Sequence, residues 1–204
     1  MQAEIESLDL DNPRSLHVLV NKLRPLRPLR WEPRDLVMPA GIENTNGQPI
    51  RAAAAEALER MFAAASEDGL PFLITSGYRS FEKQESLFKG YSQRDGVAAA
   101  ETYSARPGHS EHQTGLAVDL DDGSGFAFKS EFGETRTGLW LRKHCAEFGF
   151  LLRYDRGEQP VVGYIYEPWH FRYLGTEITL DMRQRGIANY EDYVEAEAAP
   201  DYAP

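Results

Sequence analysis

The sequence predicts an α+β domain in which helices pack on a small, mostly antiparallel sheet. Segments with helical periodicity come first along the chain and several short β-prone runs cluster later, an order that is typical of this fold class. The 204 residues are enough for one domain with a substantial core and additional terminal segments.

Prolines and composition divide the chain into three parts. Residues 1–50 contain six prolines, which interrupt regular structure, so we expect an arm that wraps the start of the domain. Residues 51–180 form the predicted core. Residues 181–204 form an acidic tail, and the part beyond Asp192 is rich in Glu, Ala and Pro and is predicted to be solvated or disordered.

Three helices are predicted within the core. In the first, apolar side chains recur every three or four residues, and Gly69 follows its end. The third is amphipathic, ends at Gly149 and contains Cys145, which we interpret as a buried structural thiol. The predicted helices are 51–65, 81–91 and 139–148.

Short β-prone runs predict the strands. The run 72–75 is apolar and bounded by turn residues, which indicates a buried strand. In the next run the residues alternate, so that Ala117 and Asp119 share one face. The predicted strands are 72–75, 116–120, 151–154, 161–166 and 171–174.

Charge and composition narrow the class of protein. The net charge of −10 argues against a nucleic-acid partner, because phosphate binding requires clustered Lys and Arg. The single cysteine excludes an internal disulfide, which suits the cytoplasm and also an exported protein without disulfides. No stretch is long enough to span a membrane, and Met1–Glu6 lacks the features of a signal peptide. The protein is therefore either cytoplasmic or exported through a signal that this sequence does not contain.

Two imidazoles and one carboxylate form the most informative pattern. His112 and Asp119 lie close in sequence, and Gly115 lets the chain bend between them. His170 must arrive from a separate strand. Two His and one Asp can hold a zinc ion and leave its fourth position open for water, whereas unrelated polar residues are the alternative interpretation.

Glu167 is the candidate for proton transfer. Pro168 disfavours helical geometry at the preceding residue, so Glu167 is expected to end a strand, and the turn through Trp169 returns His170 toward it. Desolvation near Trp169 would raise the pKa of the carboxyl toward the working range of a general base. The alternative is a surface carboxylate that pairs with Arg172.

Arg79 lies in a tight turn after the first predicted strand of the core. A guanidinium presents a fork of donors that suits a carboxylate or a developing oxyanion, although a surface arginine is an equal alternative. Gln84 on the following helix could point the same way. The other histidines are not expected to be ligands: His109 is interpreted as a rim residue, His144 as partly exposed and His17 as part of the arm.

These residues resemble the zinc D-alanyl-D-alanine carboxypeptidases of the VanY type, in a larger group with the D-Ala-D-Ala dipeptidases and the hedgehog signalling domain. The family pattern Ser-x-His-x-x-Gly-x-Ala-x-Asp occurs unbroken at Ser110–Asp119, and Glu-x-x-His occurs at Glu167–His170. Ser76–Ser80 is similar to the arginine turn of the family. The resemblance implies zinc ligation by His112, Asp119 and His170, general acid–base catalysis by Glu167, carbonyl polarisation by Arg79, and substrate binding by Gln84 and Ser110.

The resemblance implies a carboxypeptidase that removes the terminal D-alanine from peptidoglycan stem peptides, with Glu167 assisting the attack of zinc-bound water. An L,D-carboxypeptidase or an endopeptidase on the same polymer remains open, as does a catalytically silent zinc domain. The presence of Glu167 favours catalysis, because a binding module needs no proton-transfer group. We expect a monomer that works in the bacterial cell envelope.

Overall fold

The computed structural model describes residues 8–203, so the first seven residues of the predicted arm, with the Met1–Glu6 segment, and Pro204 lie outside the described residues. The strands of the described chain are Leu36–Val37 (β1), Ile50–Arg51 (β2), Leu73–Ser76 (β3), Ala117–Asp121 (β4), Phe150–Leu152 (β5) and His170–Tyr173 (β6). Four of them form an antiparallel sheet in the order β3-β4-β6-β5, and β1 and β2 form a separate two-stranded ribbon. The α+β prediction is confirmed.

Helices lie at the three predicted places, and the structure contains further helices that were not predicted. The helices at 51–65 and 81–91 are confirmed, and each extends a few residues further than predicted. No helix among the described residues is long and apolar enough to cross a bilayer. The helices are Ala52–Glu67 (α1), Phe81–Asp95 (α2), Val97–Ala100 (α3), Arg136–His144 (α4), Gln159–Val162 (α5), Thr176–Arg185 (α6) and Tyr190–Tyr193 (α7).

The main core lies between α1 and one face of the four-stranded sheet. Leu58 and Met61 of α1 are completely buried and belong to the same apolar cluster as Val118 and Leu120 of β4. Because successive side chains of a strand point to opposite faces, Asp119 between them lies on the other face of the sheet. Burial of the apolar face of α1 thus decides which side of the sheet carries the polar residues.

Strand register brings two of the predicted ligands together. Asp119 of β4 lies opposite His170 of β6 and opposite Ser76 of β3. Side chains directly opposite each other in an antiparallel pair have Cβ atoms about 5 Å apart. A slip of one residue would turn a ligand to the other face, and the buried apolar residues on that face prevent such a slip.

The predicted helix at 139–148 divides into α4 and a 3-10 helix at Cys145–Phe148. It starts earlier than predicted because the hydroxyl of Thr135 accepts the backbone N–H of Gly138 at 3.0 Å and caps the first turn. Gly149 ends the segment with φ 84°, as predicted. Cys145 is buried, and burial raises the pKa of its thiol to about 12, consistent with an unreactive structural residue.

The predicted strand at 161–166 is wrong. Gln159–Val162 forms the short helix α5, with Pro160 in its first turn, and Gly163 closes it with φ 80°. The β-prone side chains of this run were misleading, because the N–H groups of Val161 and Val162 donate to the carbonyl of Glu158 within a helical turn. Glu167 therefore follows a loop instead of a strand, although the carbonyl of Glu167 still accepts the N–H of His170 at 3.1 Å in the predicted turn.

The expectation of a solvated or disordered segment beyond Asp192 is corrected by the described residues. Tyr193, Val194 and Ala199 are buried, and a second apolar cluster joins α6 and α7 to the N-terminal arm. The hydroxyl of Tyr190 donates to the carbonyl of His17 at 2.8 Å. The acidic composition concealed these aromatic anchors. The three-part division of the chain stays a prediction.

Candidate metal centre

Three predicted ligands meet in one buried cluster. One ligand atom from each of His112, Asp119 and His170 lies within 4.8 Å of the others, and we call these residues the metal cluster. His112 comes from the 3-10 helix Glu111–Thr114, Asp119 from the middle of β4 and His170 from the start of β6. All three side chains are almost completely buried.

Backbone contact fixes the orientation of His112. Its Nδ1 lies 2.7 Å from the carbonyl oxygen of Gly77, which can only accept a hydrogen bond. The proton of the neutral imidazole must therefore be on Nδ1, which leaves the lone pair of Nε2 facing Asp119. Burial, with the nearby charge of Arg79, lowers the pKa of His112 to about 4, so this ring is neutral at physiological pH.

Whereas His112 presents Nε2 to the cluster, His170 presents Nδ1. Its Nδ1 lies 3.2 Å from Oδ1 of Asp119, and its Nε2 lies 3.3 Å from Oε2 of Glu111. Burial alone would lower the pKa of His170, but the two carboxylates raise it to about 9. Burial raises the pKa of the Asp119 carboxyl, and the flanking imidazoles outweigh this effect and hold the pKa well below its ordinary value.

The cluster fits a zinc ion. Within the described chain, Nε2 of His112 and Oδ1 of Asp119 are buried and have no partner in hydrogen-bond geometry, although opposing N and O atoms lie 3.2 Å apart. Buried polar atoms without partners are costly, so their presence indicates a ligand. Two imidazole nitrogens and one carboxylate oxygen are the donor set of a catalytic zinc with an open fourth position.

Glu167 lies beside the cluster. Its Oε2 is 3.9 Å from Nδ1 of His170, and the residue is 6% exposed. Burial is the main cause that raises the pKa of this carboxyl to about 8. The positive charge of His170 opposes the shift, and the negative charge of Asp119 adds to it. The direction agrees with the prediction. The alternative pairing of Glu167 with Arg172 is not observed, because Arg172 instead contacts Glu111.

The remaining predicted residues line the same cavity, whose volume is about 430 Å³. Arg79 follows β3, and its backbone N–H donates to the carbonyl of His112 at 3.2 Å. Gln84 donates from Nε2 to the carbonyl of Ala105 at 2.7 Å, while its buried Oε1 has no partner among the described residues. The seven predicted site residues that line the cavity are Arg79, Gln84, Ser110, His112, Asp119, Glu167 and His170.

Eleven further residues line the cavity and were not predicted as site residues, and three of them lie where they can affect the site. Glu111 contacts His170, and its place within the Ser110–Asp119 block was a signal that could have revealed it. The ring of Tyr154 lies 4.7 Å from the ring of His170, and Phe128 lines the cavity mouth with a φ of 56° that non-glycine residues rarely adopt. Tyr154 and Phe128 lie outside every motif, so no sequence signal indicated them.

Known proteins are similar to this chain in sequence and in fold. The family described as VanY: D-alanyl-D-alanine carboxypeptidase matches residues 47–176. This chain belongs to the VanY family. The chain is 37% identical over 191 residues to the putative carboxypeptidase YodJ of Bacillus subtilis (strain 168), an alignment that covers 91% of this chain and 69% of the relative.

Solved structures of VanY relatives share the fold. The LdcB LD-carboxypeptidase superimposes with a TM-score of 0.83 at 37% identity, covering 91% of this chain and 88% of the other. A mutant of the vancomycin-resistance D,D-pentapeptidase VanY, in complex with Zn(II), gives a TM-score of 0.71 at 33% identity, covering 87% of this chain and 97% of the other. The family resemblance that the sequence predicted is thereby confirmed.

Proposed function

We propose that this chain is a zinc-dependent carboxypeptidase that releases the terminal D-alanine from peptidoglycan stem peptides. The observation that carries the proposal is the convergence of the metal cluster, Glu167 and Arg79 on one cavity. Membership of the VanY family supports the reaction class. The names of the relatives, which refer to D-alanyl-D-alanine and peptidoglycan, support the substrate class.

Zinc is the metal that suits the cluster, and the relative solved with Zn(II) supports this assignment. When bound, the ion supplies Lewis acidity, which lowers the pKa of a coordinated water to about 7 and polarises a carbonyl. The contribution of the chain is to hold His112 with its Nε2 free and His170 with its Nδ1 free on the same side of the sheet. Burial of all three ligands excludes bulk water from behind them.

Glu167 carries the proton. Its carboxylate accepts a proton from the attacking water and returns it to the nitrogen of the leaving D-alanine, so that one residue acts as base and then as acid. Burial makes the carboxyl a stronger proton acceptor than an exposed glutamate, and its pKa of about 8 without metal reflects this environment. The positive charge of a bound metal would lower that pKa.

Arg79, Gln84 and Ser110 are proposed to bind the substrate. The guanidinium of Arg79 would stabilise the developing negative charge on the scissile carbonyl oxygen. The unpartnered Oε1 of Gln84 would accept a peptide N–H, because it is buried in the cavity wall and can only accept. Ser110 is 4% exposed and lines the same cavity, where its hydroxyl can contact the terminal residue of the peptide.

Two peptide linkages are candidates for the bond that is cleaved. A D,D-carboxypeptidase removes the last residue of a pentapeptide stem that ends in D-Ala-D-Ala, whereas an L,D-carboxypeptidase removes D-alanine from a tetrapeptide stem. Both kinds of enzyme are among the solved structures that share the fold, since LdcB is an LD-carboxypeptidase and VanY is a D,D-pentapeptidase, so each candidate has a structural relative in its favour. Action on cell-wall material implies that the protein works in the bacterial cell envelope, and a monomeric state stays a prediction.

The decisive experiment is to incubate the zinc-loaded protein separately with tetrapeptide and pentapeptide stems and to identify the products by mass spectrometry. Release of D-alanine from the pentapeptide supports D,D activity, and release from the tetrapeptide alone supports L,D activity. Glu167→Gln is the matched control, because it keeps the shape of the side chain and removes the proton acceptor. Cleavage within the stem, or no cleavage of either peptide, would contradict the proposal.

A further inference from the structure

A buried carboxylate touches His170 on the side opposite to the metal cluster. Oε2 of Glu111 lies 3.3 Å from Nε2 of His170, and the side chain of Glu111 is completely buried. The same imidazole presents Nδ1 to Asp119 at 3.2 Å. The two ring nitrogens of His170 therefore face two different carboxylates, one inside the metal cluster and one outside it.

The Glu111 carboxylate is held by two guanidinium groups. Nε of Arg153 lies 2.9 Å from Oε1 of Glu111, and Nη1 of Arg172 lies 3.0 Å from the same oxygen. Both arginine side chains are at most 1% exposed. Because both cations bind Oε1, Oε2 is left for His170 alone. Two fixed positive charges keep Glu111 ionised and therefore able to accept a hydrogen bond.

Both arginines are fixed in turn by α7 and by the N-terminal arm. Arg153 forms a two-pronged pair with Glu191 of α7, with distances of 2.9 and 2.7 Å. Arg172 donates from Nη2 to the carbonyls of Leu16 and Val18 in the N-terminal arm, at 3.1 and 2.8 Å. We call Glu111, Arg153, Arg172 and Glu191 the buried ion network. Its two positive and two negative charges balance.

We propose that Glu111 is a positioning residue of the metal centre, which holds the Nε2–H of His170 and thereby presents the Nδ1 lone pair to the metal. The inference rests on the proposed zinc function. Metal-bound histidines commonly donate their second N–H to a carboxylate, and loss of such a partner costs about tenfold to a hundredfold in metal affinity. The chain reaches this arrangement by anchoring the carboxylate, through Arg153 and Arg172, to α7 and to the N-terminal arm.

Glu111→Gln tests the role directly. The glutamine amide can donate to Nε2 of His170, which would favour the ring proton on Nδ1 and weaken metal binding. We expect zinc affinity, measured by competition with a chelating dye, to fall by about tenfold to a hundredfold. The visible absorption of the Co²⁺-substituted protein should change as well, because the geometry at His170 changes.

Glu191→Gln is the matched control. It removes a carboxylate from the same network, and this carboxylate contacts Arg153 and Asn21 instead of His170. The variant should lose thermal stability and keep its zinc affinity within about threefold, because Glu191, unlike Glu111, does not contact a residue of the metal cluster. Equal losses of affinity in both variants, or no loss in Glu111→Gln, would overturn the proposal.

Two further measurements cover a variant that does not fold. The double variant Glu111→Gln/Arg172→Gln restores the charge balance of the network and should show the same loss of zinc affinity. In the unaltered protein loaded with ¹¹³Cd²⁺, NMR coupling should connect the metal to Nδ1 of His170, and coupling to Nε2 would contradict the proposal. Failure of the proposed function looks different, because zinc would then bind as expected without any hydrolysis of stem peptides.

Discussion

The metal cluster and the buried ion network lie side by side and meet at His170, but they satisfy their polar groups in opposite ways. In the metal cluster, Nε2 of His112 and Oδ1 of Asp119 lack hydrogen-bond partners among the described residues. In the ion network, each of the four charged side chains has at least one oppositely charged partner within 3.0 Å. The unpartnered atoms of the metal cluster face the cavity and fit a ligand, whereas the paired charges of the ion network connect separate elements of the fold.

The comparison also separates function from framework in sequence terms. Two ligands of the metal cluster lie within one short block, Ser110–Asp119, and the third lies in Glu167–His170. The ion network instead joins four side chains from separate parts of the chain: Glu111 lies in the 3-10 helix, Arg153 follows β5, Arg172 lies in β6 and Glu191 lies in α7. A motif can reveal the first kind of site, whereas the pairing of charges in the second kind is seen only in the fold.

The largest expected effect comes from removing a ligand. His112→Ala deletes one of three metal donors, so the purified protein should no longer hold stoichiometric zinc and should lose hydrolysis altogether. Metal analysis of the purified protein and a D-alanine release assay measure the two losses. If His112→Ala still bound one zinc per chain with unchanged affinity, the metal cluster would not be the metal site.

Glu167→Gln separates proton transfer from metal binding. Glu167 is not a member of the metal cluster, so zinc content should be unchanged, while kcat should fall by roughly a hundredfold to ten-thousandfold because the proton acceptor is lost. Steady-state kinetics on the preferred stem peptide, with metal analysis of the same sample, tests this. Retained turnover would remove Glu167 from the role of base.

Breaking the ion network should affect stability more than metal binding. Glu191→Gln leaves Arg153 with one carboxylate partner fewer in a completely buried place, which we expect to lower the free energy of unfolding by about 3 to 5 kcal/mol. Urea unfolding monitored by circular dichroism measures this change. A stability equal to that of the unaltered protein would show that the network does not hold α7.

The smallest expected effect is a pH dependence of stability. Burial raises the pKa of the Glu111 carboxyl, but Arg153 and Arg172 more than offset this and hold the pKa well below its ordinary value. A glutamate in the unfolded chain has a pKa of about 4.3, so below that pH the unfolded state binds more protons than the folded state. The free energy of unfolding should therefore fall as the pH decreases below about 4.3.

Glu111→Gln should flatten this acid dependence, because the variant has no carboxyl at this position to titrate. Urea unfolding of both proteins over the acidic range, with EDTA present to remove metal, makes the comparison. An unchanged slope would assign the acid sensitivity to other carboxylates.

Local sequence was sufficient for elements whose periodicity and end signals agree. Helix α1 has a continuous apolar face, and β4 alternates between the core and the metal cluster, so both were predicted. The prediction of a strand at 161–166 was wrong because β-prone side chains do not exclude a helical turn. Here a proline begins that turn and a glycine ends it. The prediction of a solvated or disordered segment beyond Asp192 was wrong because composition does not show which aromatic side chains will be buried.

The sequence by itself indicated the three residues of the metal cluster, because their types and spacing are visible in the linear chain. Only the tertiary structure decided which nitrogen of each imidazole faces the cluster. The carbonyl of Gly77 contacts Nδ1 of His112, and Glu111 contacts Nε2 of His170 while two arginines hold the Glu111 carboxylate in place. These partners come from separate elements, so their contacts depend on strand register and on packing of the chain ends, which no local pattern of residues encodes.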